Sequence, residues 1–116
     1  MKNNEIQKLP RVSRERLVHH FKATYRLDDD QIKVMIDSSA RSMNAALAAL
    51  YQALDENRDL SEIARLGHSI KGLLLNMGET QWAELARELE KAAAQGKQLD
   101  FRAIVANIHQ GFEDVL

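Results

Sequence analysis

Cysteine is absent from the 116 residues, proline occurs once and glycine five times. Without cysteine there are no disulfides and no thiolate metal sites, so we expect a cytoplasmic protein from a reducing compartment. Few helix-breaking residues, together with abundant alanine, leucine, glutamate, lysine and arginine, favour helix along nearly the whole chain. The sequence therefore predicts an all-α protein.

An excess of one charge and a long apolar run are also missing. The formal net charge is -1, so no basic field would hold nucleic acid or an anionic membrane, and we expect neither partner. Charged residues interrupt the apolar stretches, so we expect neither a membrane span nor a signal peptide. The length suits one hydrophobic core. We predict a disordered segment at residues 1–10 and a single, monomeric domain at residues 11–116.

Apolar residues recur with helical spacing in five segments. Pro10 stands near the first turn of a first helix predicted over residues 11–26. Asp28 and Gln31 have the spacing of a capping box and precede a long second helix, residues 30–57. Its apolar stripe consists of Ile32, Met35, Ile36, Ser39, Met43, Leu47, Leu50 and Leu54.

Three further helices follow in the sequence. Asp59 and Glu62 repeat the capping spacing at the start of the third helix, and Gly78 is expected to close it in a left-handed conformation. The stripes of the last two helices are Trp82, Leu85, Ala86, Leu89 and Ala93, and then Phe101, Ile104, Val105, Ile108, Phe112 and Val115. Short connections favour an antiparallel up-down four-helix bundle, with the additional N-terminal helix as a lid.

The third helix has two distinct faces on a wheel of about 100° per residue. The apolar face consists of Ile63, Leu66, Ile70, Leu73 and Met77, and the opposite face of Ser61, Arg65, His68, Lys71, Gly72 and Leu75. His68 therefore points away from the core. Lys71 at i+3 places an ammonium beside the imidazole, where it would attract a bound anion. Gly72 at i+4 costs about 1 kcal/mol relative to alanine and leaves the ring approachable.

An exposed neutral imidazole is a nucleophile that takes a phosphoryl group from an acyl phosphate and later releases it. Such transfer depends on in-line positioning and charge stabilisation, part of which Lys71 would supply. The sequence contains no glycine-rich phosphate loop, Walker motif or carboxylate pair arranged for Mg²⁺. We therefore expect no ATP binding, no autonomous catalysis and no cofactor bound by this chain.

The run His-Ser-Ile-Lys-Gly at residues 68–72 resembles the His-x-x-Lys-Gly signature of histidine phosphotransfer (HPt) domains. Residues 27–116 are similar to that family in the order and spacing of their helices. Within them, residues 82–90 resemble the family's Leu-x-x-Leu-x-x-x-Leu-Glu helix. The signature and its helical frame together make the likeness specific.

The resemblance implies a four-helix bundle in which His68 is phosphorylated and Lys71 and Gly72 support the reaction. It also implies a two-component phosphorelay, with receiver domains of response regulators and a (hybrid) sensor histidine kinase as partners. Mg²⁺ is then expected on the partner receiver domain rather than on this chain.

Two features depart from the family pattern. The positions after the signature glycine are usually small, whereas this chain has leucine at residues 73–75. Leu75 shares the face of His68 and would form an apolar rim that tunes partner choice or impairs transfer. We name Arg65 and Leu75 as candidate docking residues. The second departure is the extension at residues 1–26, whose role the resemblance does not define.

Two other functions compete with phosphotransfer. A metal-binding bundle uses carboxylates and histidines, and Glu15 and His19 are four residues apart, but the Glu-x-x-His pairs of di-iron bundles are absent. We predict no metal site. The other alternative is a docking module that keeps the bundle and binds receiver or kinase domains through Arg65 and Leu75 without phosphoryl transfer.

Overall fold

The structure is a computed structural model that describes residues 9–116. Within that range the chain forms five α-helices and no strand. The predicted all-α class is therefore confirmed. The helices are α1 (Arg14–Tyr25), α2 (Asp29–Asp55), α3 (Leu60–Asn76), α4 (Thr80–Ala94) and α5 (Phe101–Gly111).

The starts of α2 and α3 follow the predicted capping residues. The Gln31 amide donates to Asp28 Oδ1 at 2.8 Å, and the Asp28 amide donates to the Gln31 side-chain oxygen at 3.0 Å. Asp59 caps α3 by accepting from the Glu62 amide at 3.2 Å. The Glu62 carboxylate pairs with Arg65 instead of returning to the cap. The capping box is therefore complete at α2, whereas at α3 only the aspartate side of it forms.

Gly78 ends α3 as the sequence predicts. Its φ is +75°, a left-handed conformation that glycine adopts without a Cβ penalty. The Gly78 amide donates to the Leu75 carbonyl at 3.0 Å, and the Glu79 amide donates to the Leu74 carbonyl at 2.9 Å. A Cβ at this position would collide with the ring of His20 on α1. Residue 78 is glycine for both its conformation and its close neighbour.

Helices α2 to α5 form the bundle. Each packs on the next along the chain, and α5 closes the ring by packing on α2. Connections of a few residues join them, so successive helices run in opposite directions. The core includes fully buried side chains from α1 and from all four bundle helices, among them Leu17, Met43, Leu50, Ile70, Leu74, Leu89 and Val105. The four-helix bundle with an additional N-terminal helix is confirmed.

The two halves of α2 are covered by different helices. Helix α5 lies along the C-terminal half, where Arg102 pairs with Asp55. Helix α1 lies along the N-terminal half, where Arg14 pairs with Asp37 at 3.1 Å. Because α2 has 27 residues and α5 only 11, α1 fills the space beside α2 that α5 leaves open. It completes the bundle and is more than a lid over it.

Helix α1 is anchored to the core and to the turn after α3. Leu17 and Phe21 are fully buried. Arg16 donates to Glu79 at 2.7 Å, and Glu79 is the one buried charged residue in the described part of the chain. Removing one partner of such a pair leaves an uncompensated buried charge, which is strongly destabilising. This pair therefore ties α1 to the turn between α3 and α4.

The first helix begins at Arg14 and not at Arg11 as predicted. Ser13 is the cap, and its side-chain oxygen accepts from the Arg16 amide at 3.1 Å. A serine cap satisfies an unpaired amide of the first turn, which Pro10 does not do. The apolar pattern includes Val12, which precedes the cap, so it places the start of the helix too early.

Most of the predicted disordered segment lies outside the described residues, but Leu9 and Pro10 do not. Leu9 packs against the core. The Pro10 carbonyl accepts from Trp82 Nε1 at 3.1 Å, and the Val12 amide donates to the Gly111 carbonyl at 2.9 Å. Leu9 and Pro10 thus have partners in the bundle, and Val12 joins the end of α5.

Met35 departs from the predicted core. It was assigned to the buried stripe of α2, yet 38% of its surface is exposed. Helix α3 has 17 residues against the 27 of α2 and ends before it reaches this level. The face of α2 that α3 covers farther along is therefore open at Met35.

Within residues 9–116, no helix is both long enough and apolar enough to span a membrane.

Ile70 gives a direct test of the core. It lies on the apolar face of α3, opposite His68, and is fully buried. Ile70→Ala should lower the free energy of unfolding by about 2 to 5 kcal/mol, the usual cost of such a truncation. Ser69→Ala, at the exposed neighbouring position, should change it by about 0.5 kcal/mol or less. Urea unfolding of both variants measures this difference, and equal stabilities would contradict the assigned packing of α3.

Candidate functional site

His68 lies in the middle of α3 on its exposed face. Its side chain is 67% exposed, although the two neighbouring residues on the core side, Leu66 and Gly67, are buried. This is the orientation that the wheel predicts. A ring in this position is open to a macromolecular partner, which a histidine within the core would not be.

Glu90 on α4 is the partner of the imidazole. Its carboxylate lies 2.9 Å from His68 Nδ1, and its other oxygen lies 2.9 Å from Lys71 Nζ. The hydrogen bond from Lys71, with a smaller one from His68, holds the pKa of Glu90 below its ordinary value against the opposing effect of desolvation. Glu90 is therefore ionised at neutral pH and bridges the two side chains of the signature.

The carboxylate of Glu90 determines which ring nitrogen of His68 carries hydrogen. An ionised carboxylate only accepts, so the neutral ring donates from Nδ1. Its lone pair is then on Nε2, the nitrogen on the side away from Glu90. In the neutral ring Nε2 is therefore the nitrogen whose lone pair is free.

Gly67 allows α4 to come close enough for this contact. A Cβ at residue 67 would lie 2.7 Å from Leu89 Cδ2 and 3.3 Å from the backbone of Glu90. A side chain there would separate the two helices at the level of the site. Gly67 thus positions Glu90 beside His68, although neither residue was predicted to belong to the site.

Lys71 is less exposed than predicted. Its side chain is 24% exposed, because the ammonium turns from solvent toward Glu90. In this arrangement Lys71 acts on the imidazole through the shared carboxylate. To reach a phosphoryl group on His68, the ammonium has to share or leave Glu90.

Gly72 leaves one side of the imidazole open. A Cβ built at residue 72 meets nothing within 4 Å. Among residues 9–116 nothing in the packing or the backbone conformation requires this glycine, unlike Gly67 and Gly78. Its missing side chain leaves space on the outer surface, next to His68.

The two candidate docking residues both lie on the surface. Leu75 is 51% exposed, one of the few large apolar side chains so placed in the described chain. Arg65 is also exposed and pairs with Glu62 at 2.7 Å. Both positions agree with the predicted face of α3, whereas their contact with a partner stays a prediction.

An open groove runs beside His68 between α2 and α3. Its α3 side includes Gly72 and reaches Asn76 at the end of the helix. Its α2 side has only small residues, which are Ser42, Ala45, Ala46 and Ala49. Small side chains on one wall and a glycine on the other allow the backbone of a partner to approach closely.

The remaining histidines have other surroundings. His20 Nε2 lies 3.1 Å from the Asn76 carbonyl, and His109 Nδ1 lies 3.4 Å from the Tyr51 hydroxyl. His19 is exposed on α1. Across residues 9–116, no group of three or more histidine, aspartate or glutamate side chains is arranged to hold a metal ion.

Lys71 and Glu90 can be tested together. Lys71→Ala should slow phosphoryl transfer severalfold and lower the free energy of unfolding by about 1 kcal/mol, because the ion pair is at the surface and only partly shielded from solvent. Glu90→Gln should also slow transfer. Because the two side chains share one ion pair, the double variant should be slower by less than the product of the single effects. Stopped reactions with a phosphorylated receiver measure the rates, and a wild-type rate in Lys71→Ala would remove Lys71 from the site.

Comparison of the sequence with known proteins identifies the family of this chain. Residues 34–116 match the Hpt domain family, a range that covers α2 from its sixth residue onward and all of α3, α4 and α5. No curated protein and no solved structure gave a significant match. The matched range includes His68, Lys71, Gly72 and Glu90, and it leaves out α1. The chain therefore belongs to the Hpt domain family.

Proposed function

We propose that this chain is a phosphocarrier in which His68 accepts a phosphoryl group from one receiver domain and passes it to another. Hpt domains are phosphotransfer modules of two-component signalling and are not enzymes. The observation that carries the proposal is the exposed ring of His68 with Nδ1 held by Glu90 at 2.9 Å. That geometry supports a nucleophilic Nε2 directed at solvent.

The proposed step needs no proton transfer at His68. The Nε2 lone pair attacks the phosphorus of an aspartyl phosphate, and the bond between phosphorus and the aspartate oxygen breaks with its electron pair on the carboxylate. The ring then carries phosphate on Nε2 and hydrogen on Nδ1, so it is cationic. Glu90 stabilises that charge through the hydrogen bond that it already makes. Transfer to the next receiver is the reverse of this step.

The partner completes the site. Phosphoryl transfer requires stabilisation of the equatorial oxygens, of which Lys71 provides a part. We assign the rest to Mg²⁺ held by the receiver domain, since this chain offers no carboxylate cluster for it among its described residues. A sensor histidine kinase, in hybrid form with its own receiver, is the proposed source of the phosphoryl group. We expect the chain to act as a monomer in the cytoplasm.

The test uses two receiver domains. One receiver, labelled on its aspartate, is mixed with the chain, and the labelled chain is then purified and mixed with the second receiver. We expect label to move to the chain in an acid-labile, base-stable form and then to the second receiver. Binding of both receivers without movement of label would support the silent docking module instead.

Substitution of Leu75 shows whether this exposed side chain contacts the receiver or obstructs its approach. If Leu75 contacts the receiver, as we expect for an exposed leucine beside an interface, Leu75→Ala should weaken binding by about 1 to 2 kcal/mol. If Leu75 obstructs approach, the same variant should transfer faster and accept more receivers. Titration of wild type and variant with one receiver, followed by a transfer profile across several, separates the two. Faster transfer to several receivers would show that the contact interpretation is wrong.

A further inference from the structure

Val34 has the highest exposure of the large apolar side chains in the described chain, at 65%. It lies in the N-terminal half of α2, on the side of the helix that faces away from the core. Ser38 and Ala45 follow it by four and eleven residues, so they lie on the same side, and both are exposed. Small residues after an exposed valine allow another helix to pack closely against this side of α2.

One acidic and one basic residue stand at the two ends of this side of α2. Asp30 precedes Val34 by four residues and Arg41 follows it by seven, a spacing that places all three within about 40° around the helix. Both charged side chains are exposed, and neither takes part in an ion pair among residues 9–116. The two charges offset each other in sum, but the ends of the surface have opposite sign.

Such a surface is complementary to itself when two copies pack in opposite directions. In a two-fold interface, residue i of one copy contacts residue j of the other, and j contacts i. With the axis midway between residues 35 and 36, Asp30 of each copy lies opposite Arg41 of the other. The two copies of Val34 then lie about 4.5 Å apart along the helix direction. Two ion pairs therefore enclose two apolar side chains.

The charges beside this surface obey the same symmetry. Lys33 and Asp37 pair within α2 at 3.2 Å, and Arg14 of α1 also pairs with Asp37. About an axis close to residue 35, Lys33 of one copy lies opposite Asp37 of the other. The flank of the interface therefore also brings opposite charges together.

We infer that the exposed side of α2 is a self-association surface, through which two copies of this chain form an antiparallel, two-fold dimer. Residues 30–41 span about 16 Å of a helix about 10 Å wide, which is far less than the roughly 800 Å² that each partner buries in a standard interface. The dimer is therefore weak, with a dissociation constant on the order of 0.1 mM. The chain is a monomer when it is dilute.

Self-association has a consequence for transfer, and this step alone rests on the proposed function. Ser42 and Ala45 belong to the α2 wall of the groove beside His68. In the dimer, residues 26–29 of the other copy, which connect α1 to α2, lie opposite this wall. A receiver and a second copy then exclude each other from the groove. The dimer is a storage form, and the monomer is the form that transfers.

Exchange of the two charges tests the surface directly. Wild type, Asp30→Arg, Arg41→Asp and an equimolar mixture of these two variants are compared by sedimentation equilibrium up to about 1 mM, ten times the expected dissociation constant. Glu84→Arg and Arg87→Asp are the matched controls, because they make the same charge changes at an exposed ion pair on α4. Circular dichroism verifies that every variant is folded.

We expect each α2 variant alone to associate at least tenfold more weakly than wild type, because like charges then face each other at both ends of the interface. The mixture should associate as wild type does, since Asp30→Arg in one copy meets Arg41→Asp in the other. The α4 controls should also associate as wild type does. A wild-type monomer at about 1 mM, unchanged association of Asp30→Arg, or a mixture no stronger than its components would overturn the inference.

Failure of this inference and failure of the proposed function can be told apart. The labelling of His68 by a phosphorylated receiver is measured below and above the dissociation constant of the dimer, and the rate per molecule should fall at the higher concentration. Label that reaches His68 at neither concentration contradicts the proposed transfer and leaves the dimer in place. An equal rate per molecule at both concentrations contradicts the exclusion at the groove.

Discussion

His68→Gln should fold as the wild type and accept no phosphoryl group. Glutamine has no nucleophilic ring nitrogen, so the phosphorus of the aspartyl phosphate has nothing to bond to. The position is exposed, and the lost contact is one surface hydrogen bond to Glu90. We therefore expect a change in the free energy of unfolding within about 1 kcal/mol. Incubation with a labelled receiver and a urea unfolding curve measure the two effects.

The other histidines provide the control for this variant. His19→Gln and His109→Gln should both accept label at the wild-type rate, because neither ring has the carboxylate and lysine partners of His68. Label retained by His68→Gln, or lost in His109→Gln, would place the acceptor elsewhere.

Gly72→Glu should reduce transfer from a receiver by about a hundredfold or more while the fold is kept. A Cβ at residue 72 meets nothing within 4 Å in the part of the chain that the structure describes, so a side chain there extends outward beside the imidazole of His68. There it obstructs a partner that must bring its reacting atom into contact, and small misplacements cost about 10²-fold in rate. Its charge also repels the incoming acyl phosphate. Gly72→Gln removes that charge and keeps the bulk, so it separates the two causes.

Gly72→Ala is the matched control for helix stability. Alanine should stabilise the helix by up to about 1 kcal/mol, and its single methyl group should affect transfer far less than a glutamate. Thermal unfolding and transfer rates of the three variants give the comparison. Wild-type transfer by Gly72→Glu would show that partners approach His68 from another side.

The helices and most of the core could be predicted from the sequence, because both depend on neighbours three or four residues apart. The stripe of α4, from Trp82 to Ala93, is buried as predicted. The prediction that Met35 is buried was wrong, because its exposure depends on where another helix ends. The length of α3 relative to α2 decides it, and no local pattern in α2 contains that information.

The candidate site could be predicted only in part, for a similar reason. The exposure of His68 and the open space at Gly72 follow from the periodicity of one helix. The contact with Glu90 joins residues 22 positions apart and depends on how closely α4 approaches. Gly67, directly before the histidine, was the available signal, since a buried glycine inside a helix indicates close packing of another element.

The central claim is that His68 Nε2 carries the phosphoryl group, and NMR of the chain after incubation with a phosphorylated receiver domain tests it most directly. Ring nitrogens labelled with ¹⁵N show which nitrogen is bonded to phosphorus, and ³¹P detects the phosphoramidate. The account predicts one phosphorylated histidine, His68, bonded to phosphorus at Nε2 and with hydrogen on Nδ1. Phosphorus bonded to Nδ1, to another histidine or to none would contradict it.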